Sequence, residues 1–281
     1  MSRLSQSDLK SDRAIPLMLG LTALVGSLIV VGAEYLPPAV DWEGAFRPAT
    51  LALTRLESPY EGIGFYNPPW ALLFLLPFAA SLEVGRAAIL VLSVGVYGFV
   101  AVRMGASLIT LAAFLLSPPI LHTLLHGNLE WLVLLGVLAP PRWGLFLVTI
   151  KPQMGSMVAL FWTVEAWREG GWKHVAGLLW PVGLAYALSV LLFGPWPLRA
   201  STQTGLWWNA SLLPYSIPVG IIAIIWAIWK RDIRGALIAS PCLSPYVLLH
   251  AWSGALFAFA RNQRLAVLSV ILLWAVALRN I

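Results

Sequence analysis

Two charged residues interrupt apolar surroundings in this chain and are the first candidates for chemistry. Lys151 stands in Thr149-Ile150-Lys151-Pro152-Gln153, inside an apolar run. A charge at membrane depth costs roughly 2.5–3.5 kcal/mol on insertion scales, so it calls for a function or for a path to water. Beside a helix-breaking proline, the lysine could hold an anionic headgroup such as a lipid phosphate. Alternatively, its flexible stem could carry the ammonium to an interface.

The second candidate is Asp41, in Val40-Asp41-Trp42-Glu43 just after the first apolar segment. A carboxylate within hydrogen-bond reach of an acceptor hydroxyl can act as a general base, with burial or neighbouring groups adjusting its basicity. Glu43 is a weaker candidate for the same role. A solvated loop acid is the alternative, and the sequence leaves both interpretations open.

Histidines supply a third group. His122 and His126 share a face if their helix is continuous, because residues four apart are neighbours, and Asn128 follows closely. These side chains could hydrogen-bond a sugar or a phosphate, or the histidines could form a structural pair. A zinc site is disfavoured, because no third ligand is evident nearby and no His-Glu-x-x-His motif is present, so we predict no metal. His250 stands alone late in the chain, which is more typical of a structural histidine.

The elements that must position these residues are membrane helices. Of the 281 residues 59% are hydrophobic and only 11% are charged, whereas a soluble domain has about 25% charged residues. The net charge of +6 is explained by Lys and Arg on cytoplasmic loops. This composition excludes a soluble globular or nucleic-acid-binding protein. It predicts an all-α, polytopic transmembrane helical bundle of about 8–10 membrane segments, some short or broken, in a single domain over residues 1–281.

Basic residues set the predicted orientation in a prokaryotic cell membrane. Arg3, Lys10 and Arg13 predict a cytoplasmic N-terminus, and a first helix at Ala14–Ala33 would carry the chain outside. Residues 35–67 then form an extracytoplasmic loop with an amphipathic helix on the membrane surface.

The segment Pro68–Leu82 is short and proline-rich, and two paths are open to it. A re-entrant or outer-surface path leaves Arg103 and Arg142 inside, whereas a full crossing puts Arg103 outside. We expect the first. The later predicted segments are Ala87–Val102, Ser107–Leu125, Leu129–Ala139, Gly144–Ile150, Gln153–Trp167, Val175–Phe193, Tyr215–Trp229, Ala236–Gly254 and Leu265–Leu278.

Several short motifs follow one another in a fixed order. Their order and spacing resemble the polyprenyl-phosphate-sugar-dependent membrane glycosyltransferases of the GT-C superfamily, and most closely glycosyltransferase family 87. The resemblance extends over residues 35–250. The motifs are Asp41-Trp42, Tyr66-Asn67-Pro68-Pro69 with a later Leu76-Pro77-Phe78, Ser117-Pro118-Pro119 followed by Gly127-Asn128, Lys151-Pro152-Gln153, and more loosely Ser244-Pro245 followed by His250.

This resemblance implies a GT-C-like fold and transfer of a sugar, often mannose, from a polyprenyl phosphate to a lipid or glycan acceptor at the outer face. The reaction would be a one-step displacement with inversion. Asp41 would be the catalytic base, and Lys151 and His250 would lie near the donor phosphate and the acceptor. The predicted substrate-binding set is Lys151, Gln153, His126, Asn128, His122, His250 and Glu43. Membrane lipids are the expected partners, and no cofactor is expected beyond the lipid-linked donor.

Two other functions stay open. The chain is shorter than most members of that family, so the alternative is a non-catalytic, shortened GT-C-like subunit or scaffold that packs against membrane proteins. A transporter is the third possibility, because short helices and an intramembrane lysine also fit one, although no internal repeat is visible. The catalytic hypothesis requires that Asp41 and Lys151 face one cavity.

Overall fold

The computed structural model of the chain describes residue 20 and residues 23–200 and 208–279. This part of the chain consists of helices, turns and loops, and no β-strand occurs within it, so the predicted all-α class is confirmed there. Arg3, Lys10, Arg13 and the beginning of the predicted first helix lie outside the described residues.

The α-helices of the described chain are named in order as follows. They are α1 (Ala23–Tyr35), α2 (Arg47–Thr54), α3 (Leu82–Arg103), α4 (Leu108–Leu115), α5 (Pro118–His126), α6 (Glu130–Leu138), α7 (Pro141–Val148), α8 (Pro152–Phe193), α9 (Pro197–Ala200), α10 (Ile217–Lys230), α11 (Ile233–Cys242), α12 (Ser253–Phe257) and α13 (Gln263–Arg279). A π-helical turn, Trp42–Phe46, precedes α2. Short 3-10 turns cover Pro69–Phe74, Leu76–Phe78 and Leu249–Trp252.

Two helices, α3 and α8, are long and apolar enough to cross a membrane. Helices α4 and α5 make a third span if they are taken together, although they meet at a bend of 56°. Within the described residues, the apolar helices α1, α10 and α13 are shorter than the roughly 20 residues that an unaided crossing requires. The described chain is therefore an all-helical protein with two to three candidate membrane-spanning helices.

Helix α3 agrees with the predicted Ala87–Val102 segment and extends it at the N-terminal end. Ser81 caps it, since its Oγ accepts a hydrogen bond from the Val84 N–H at 3.3 Å. Glu83 in the first turn and Arg103 in the last turn have the charges that the helix dipole favours at each end. The apolar run and Arg103 locate the body and the end of this helix, whereas its beginning at Leu82, which the Ser81 cap sets, was predicted too late, at Ala87.

Two 3-10 turns form most of the Pro68–Leu82 segment. Proline has no N–H to donate, which favours short turns over a continuous α-helix. The residues from Pro69 to Phe78 cover about 20 Å at the 3-10 rise of about 2.0 Å, so these two turns alone are shorter than the roughly 30 Å of a hydrocarbon core. The re-entrant or outer-surface path of the whole segment stays a prediction.

Helix α8 contains the two predicted segments Gln153–Trp167 and Val175–Phe193. Gly170 and Gly171 separate them, because both residues have non-helical backbone angles. Gly171 has a φ of 60°, which glycine adopts without steric cost. The predicted turn beside Arg168 and Lys173 is confirmed.

The predicted helix Ala236–Gly254 is wrong. Helix α11 ends at Cys242, and irregular chain precedes the 3-10 turn at Leu249. Ser244 stands before Pro245, and a residue before proline is pushed out of the helical region. The break matters for the site, because it turns the chain back and places His250 against α5.

Helix α11 begins at a well-defined cap that lies beside the basic run. The Oδ1 atom of Asp232 accepts a hydrogen bond from the Arg234 N–H at 3.1 Å. The Arg234 guanidinium also donates to this carboxylate, and these hydrogen bonds lower the pKa of Asp232. The cap therefore stays ionised at neutral pH and fixes the direction of α11 from its start.

Helix α2 falls within the predicted loop 35–67 and is short and amphipathic. It buries Ala49, Thr50 and Ala52 against the protein. Trp42, in the turn before it, is fully buried and its indole Nε1 donates to the Leu82 carbonyl at 3.0 Å. These contacts hold the segment after Asp41 against the beginning of α3. The extracytoplasmic location of this segment stays a prediction.

Candidate functional site

One cavity collects most of the side chains that the sequence singled out. Its volume is about 920 Å³, and its walls come from the segment before α2, the α5–α6 turn, the α7–α8 break and the 244–250 segment. The predicted site residues that line it are Asp41, His122, His126, Asn128, Lys151, Gln153 and His250. Glu43 is not among the described residues that line this cavity.

Lys151 lies at the break between α7 and α8, where two helices meet end to end at close range. A Cβ on Gly155 would lie 2.1 Å from the Val148 carbonyl oxygen, so only glycine permits this approach. Pro152 begins α8 and Lys151 is the residue before it, outside the helical region. Lys151 is only 5% exposed, so it is not a lysine that extends to the protein surface.

A buried carboxylate balances this lysine. Oε1 of Glu130 is 3.3 Å from Nζ of Lys151, and Glu130 has no exposed surface. Neither Glu130 oxygen accepts a hydrogen bond of good geometry from a described residue, so charge rather than a directed hydrogen bond joins the two. Nζ also lies 5.8 Å from the centre of the Phe46 ring. Lys151 therefore lines the cavity, and Glu130, which does not line it, offsets the charge of the lysine.

Glu130 was not among the predicted site residues. The signal that could have found it is an acid at the start of the apolar run Glu130–Leu138. A buried ionised acid is costly unless a partner offsets its charge, and the chain has few cations from which that partner could come. What the sequence does not show is that Lys151, 21 positions later, is the partner.

Asp41 lies at the cavity wall with 30% of its side chain exposed. Its Oδ2 accepts a hydrogen bond from Nδ2 of Asn128 at 2.6 Å and lies 3.8 Å from Nδ1 of His126. Gly127 makes this approach possible. Its φ of 68° ends α5, and a Cβ there would lie 2.8 Å from Cβ of Trp42. The α5–α6 turn can therefore press against the residue next to Asp41.

The three site histidines form one group. The rings of His122 and His126 stack with centroids 3.9 Å apart, as their spacing on one helix face predicts. His250 joins them from the 3-10 turn, with its Nδ1 at 3.1 Å from Nδ1 of His122. His250 is 1% exposed and also contacts Asn128. The histidine that looked isolated in the sequence is the most buried of the three.

No group of three or more His, Cys, Asp and Glu side chains within the described ranges has the arrangement of a metal site. The histidines instead contact one another and Asn128. The resulting cluster offers hydrogen-bond donors and acceptors to a ligand in the cavity.

Glu43 has a different role from the other predicted residues. Its Oε1 accepts hydrogen bonds from the Ala39 N–H at 3.0 Å and from Nη1 of Arg86 at 3.1 Å. Arg86 belongs to α3, so this contact ties the segment that carries Asp41 to α3. The side chain stabilises the wall, and Asp41 is the acid of this segment that lines the cavity.

Aromatic side chains complete the walls, and the site residues predicted from the sequence did not include them. The Trp196 ring stacks on Tyr60 with centroids 5.2 Å apart, and its Nε1 donates to Oγ of Ser189 at 3.0 Å. The signal was present in the tryptophan-rich residues after α8. Aromatic walls with a few converging polar groups are typical of ligand pockets. The aromatic residues that line the cavity are Phe46, Tyr66, Tyr186, Trp196, Trp208 and Tyr246.

The cavity is lined by two kinds of chemical group among mainly apolar side chains. A carboxylate beside an amide and imidazoles suits the removal of a proton from a hydroxyl. A buried ammonium at the beginning of α8 suits an anion. No protein-family model matches this chain, and no curated protein or solved structure matches it.

Proposed function

We propose that this protein is a membrane glycosyltransferase that transfers a sugar, with mannose as the first candidate, from a polyprenyl phosphate to a hydroxyl of a lipid or glycan. The observation that carries the proposal is that Asp41 and Lys151 line the same cavity. A base and an anion-binding cation in one chamber are the two groups that such a displacement needs. A scaffold would need no such pairing.

The base acts at the acceptor. The acceptor oxygen attacks the anomeric carbon from the face opposite the phosphate, and the bond from that carbon to the phosphate oxygen breaks. Asp41 takes the hydroxyl proton, while the phosphate leaves with the bonding electron pair, so the configuration inverts. General-base assistance of this kind contributes about 10²–10⁴-fold to a rate.

The leaving phosphate is stabilised at the α7–α8 break. Lys151 faces the cavity there, and Pro152 and Gln153 begin the 42-residue helix α8 at the same wall. The N-terminus of a helix carries partial positive charge and favours an anion. Glu130, 3.3 Å from Nζ, holds the Lys151 side chain in place before the donor arrives. His122, His126 and His250 can hydrogen-bond the sugar or the phosphate.

The proposed fold is a GT-C-like bundle of about 8–10 membrane segments in the cell membrane, with the N-terminus in the cytoplasm and the cavity toward the outer face. Helices α3 and α8 provide the long spans, and the cavity is lined by α5, the turn after it and the irregular chain between α7 and α8. Irregular backbone at membrane depth is tolerated where it is buried in protein or lines a cavity. The chain at the α7–α8 break fits that condition.

Asp41→Asn tests the proposal, because it keeps the shape of the side chain and removes the base. Purified protein is incubated with polyprenyl-phosphate mannose and membrane-lipid acceptors, and transferred mannose is measured. We expect the rate to fall by about 10²–10⁴-fold. The matched control is Glu57→Gln, an exposed acid of the same loop whose ion pair among the described residues is with Arg55, and it should transfer at the wild-type rate.

Equal transfer by wild type and Asp41→Asn would remove Asp41 from the mechanism. An absence of transfer together with co-purification in a stable stoichiometric complex would support the non-catalytic scaffold instead. Bound lipid in the cavity beside Asp41 would count against that alternative.

A further inference from the structure

The position of Asn128 suits a residue that holds another side chain rather than one that binds substrate. It is 2% exposed, and it follows Gly127, which ends α5 with a φ of 68°. The close approach of Gly127 to Trp42 brings Asn128 and Asp41 together across 87 positions of sequence. The packing of the α5–α6 turn therefore places the Asn128 amide against the Asp41 carboxylate.

The orientation of the Asn128 amide follows from its three partners. Its Oδ1 accepts a hydrogen bond from the Leu129 N–H at 2.8 Å, so Nδ2 is the atom that faces the other two. Nδ2 donates one hydrogen to Oδ2 of Asp41 at 2.6 Å and the other to Nε2 of His250 at 3.1 Å. Both N–H groups are therefore engaged within the protein, and neither is left for a ligand.

The second of these bonds fixes the state of His250. Because Nε2 accepts from Asn128, the ring proton lies on Nδ1, which faces Nδ1 of His122 at 3.1 Å. Nε2 also lies 3.2 Å from Oε1 of Glu130, but that oxygen accepts no hydrogen bond. A neutral His250 with its proton on Nδ1 thus accepts the second N–H of the Asn128 amide and helps to hold the amide in place.

From these contacts we infer that Asn128 is a positioning residue that holds Oδ2 of Asp41 and leaves Oδ1 as the oxygen that takes the acceptor proton. Among the described residues, none donates a hydrogen bond to Oδ1 of Asp41. A neutral amide suits this role, because it donates to the ionised carboxylate without placing a cation beside the base. The inference rests on the proposed function.

Asn128→Leu tests the inference, because leucine has a similar shape and no donor. With polyprenyl-phosphate mannose as the donor, kcat should fall by about 10²-fold, the loss expected when a reacting group is misplaced by about 1 Å. KM for the donor should stay within about two-fold, because the amide makes no contact that binds substrate. The acid limb of the pH–rate profile should move to higher pH, since a carboxylate that loses a donor is harder to keep ionised.

Thr123→Val is the matched control. Thr123 is fully buried on the same helix, and its Oγ1 donates to the Pro119 carbonyl at 3.0 Å, but it does not line the cavity. This variant loses a buried hydrogen bond and should keep the wild-type kcat and pH profile. If Asn128→Leu does not fold, as judged by its thermal unfolding, Asn128→Ala removes the same donors with less bulk and carries the same expectations.

Two further outcomes separate this inference from the function on which it rests. If wild type transfers no sugar above a protein-free control, the proposed function fails and the inference fails with it. If wild type transfers sugar and a folded Asn128 variant keeps the wild-type kcat and pH profile, or loses only donor affinity, the inference alone is overturned.

Discussion

The contact between Lys151 and Glu130 sets the electrostatics of the cavity at the scale of single residues. Both side chains are almost fully buried, and charges taken out of water are stable only when they are paired. Asp41, by contrast, lines the cavity. Among the described residues, the basic group within 4.0 Å of Asp41 is the ring of His126, at 3.8 Å. The proposed roles follow this difference, with Asp41 as the base and Glu130 as the counter-ion of Lys151.

Removing one member of this pair should leave the other charge buried without a partner. Lys151→Met leaves Glu130 buried and unpaired, and a broken buried pair costs about 3–5 kcal/mol of unfolding free energy. The double variant Lys151→Met/Glu130→Gln should lose less than the sum of the two single variants, because neither charge remains. Thermal or denaturant unfolding of all four proteins in detergent measures the coupling. Strictly additive losses would show that the two charges do not interact.

At the scale of elements, the site depends on close contact between the end of α7 and the beginning of α8. Gly155 makes that contact possible, and the contact places Lys151 and Gln153 at the cavity wall. The same logic holds at Gly127, where α5 ends against Trp42. Gly155 and Gly127 therefore permit the two close contacts that place Lys151 and Asp41 at the cavity wall.

Gly155→Ala should separate α7 from α8. Its Cβ would meet the Val148 carbonyl, and overpacking of this kind costs about 1–3 kcal/mol. We expect a lower unfolding midpoint and a raised KM for the lipid-linked donor, because the Lys151 end moves. Gly95→Ala on the open face of α3 is the control, since nothing lies within 4 Å of its Cβ. Equal midpoints for the two variants would show that α7 can yield without cost.

For the whole molecule, the proposed orientation puts the cavity and the basic turns on opposite sides of the membrane. The residues at the Gly170–Gly171 break include Arg168 and Lys173, whereas the segment that carries Asp41 is rich in acids. Basic loops stay in the cytoplasm, so these two regions should differ in their access to reagents outside the cell.

Single cysteines measure this difference. In a Cys242→Ser background, which removes the chain's own cysteine, Glu61→Cys and Lys173→Cys each give one exposed thiol. A membrane-impermeant maleimide added to intact bacterial cells should label Glu61→Cys, and it should label Lys173→Cys only after permeabilisation. Labelling of both from the same side would contradict the proposed topology.

The sequence by itself determined the helical class, the apolar composition and a short set of charged and polar residues from which a site could be built. It also located the body of α3 and the turn beside Arg168 and Lys173 from apolar runs that end at basic residues, and the Lys151-Pro152 break from the proline. The continuous helix predicted at Ala236–Gly254 is wrong, because Pro245 pushes Ser244 out of the helical region.

Only the tertiary structure decided which of those residues meet. Asn128 contacts Asp41 across 87 positions and His250 across 122. Glu43 pairs with Arg86, while Glu130 pairs with Lys151, and neither cation lies near its acid in the sequence. Such choices depend on which helix ends pack together and on the high cost of a buried charge without a partner, and both are properties of the assembled chain.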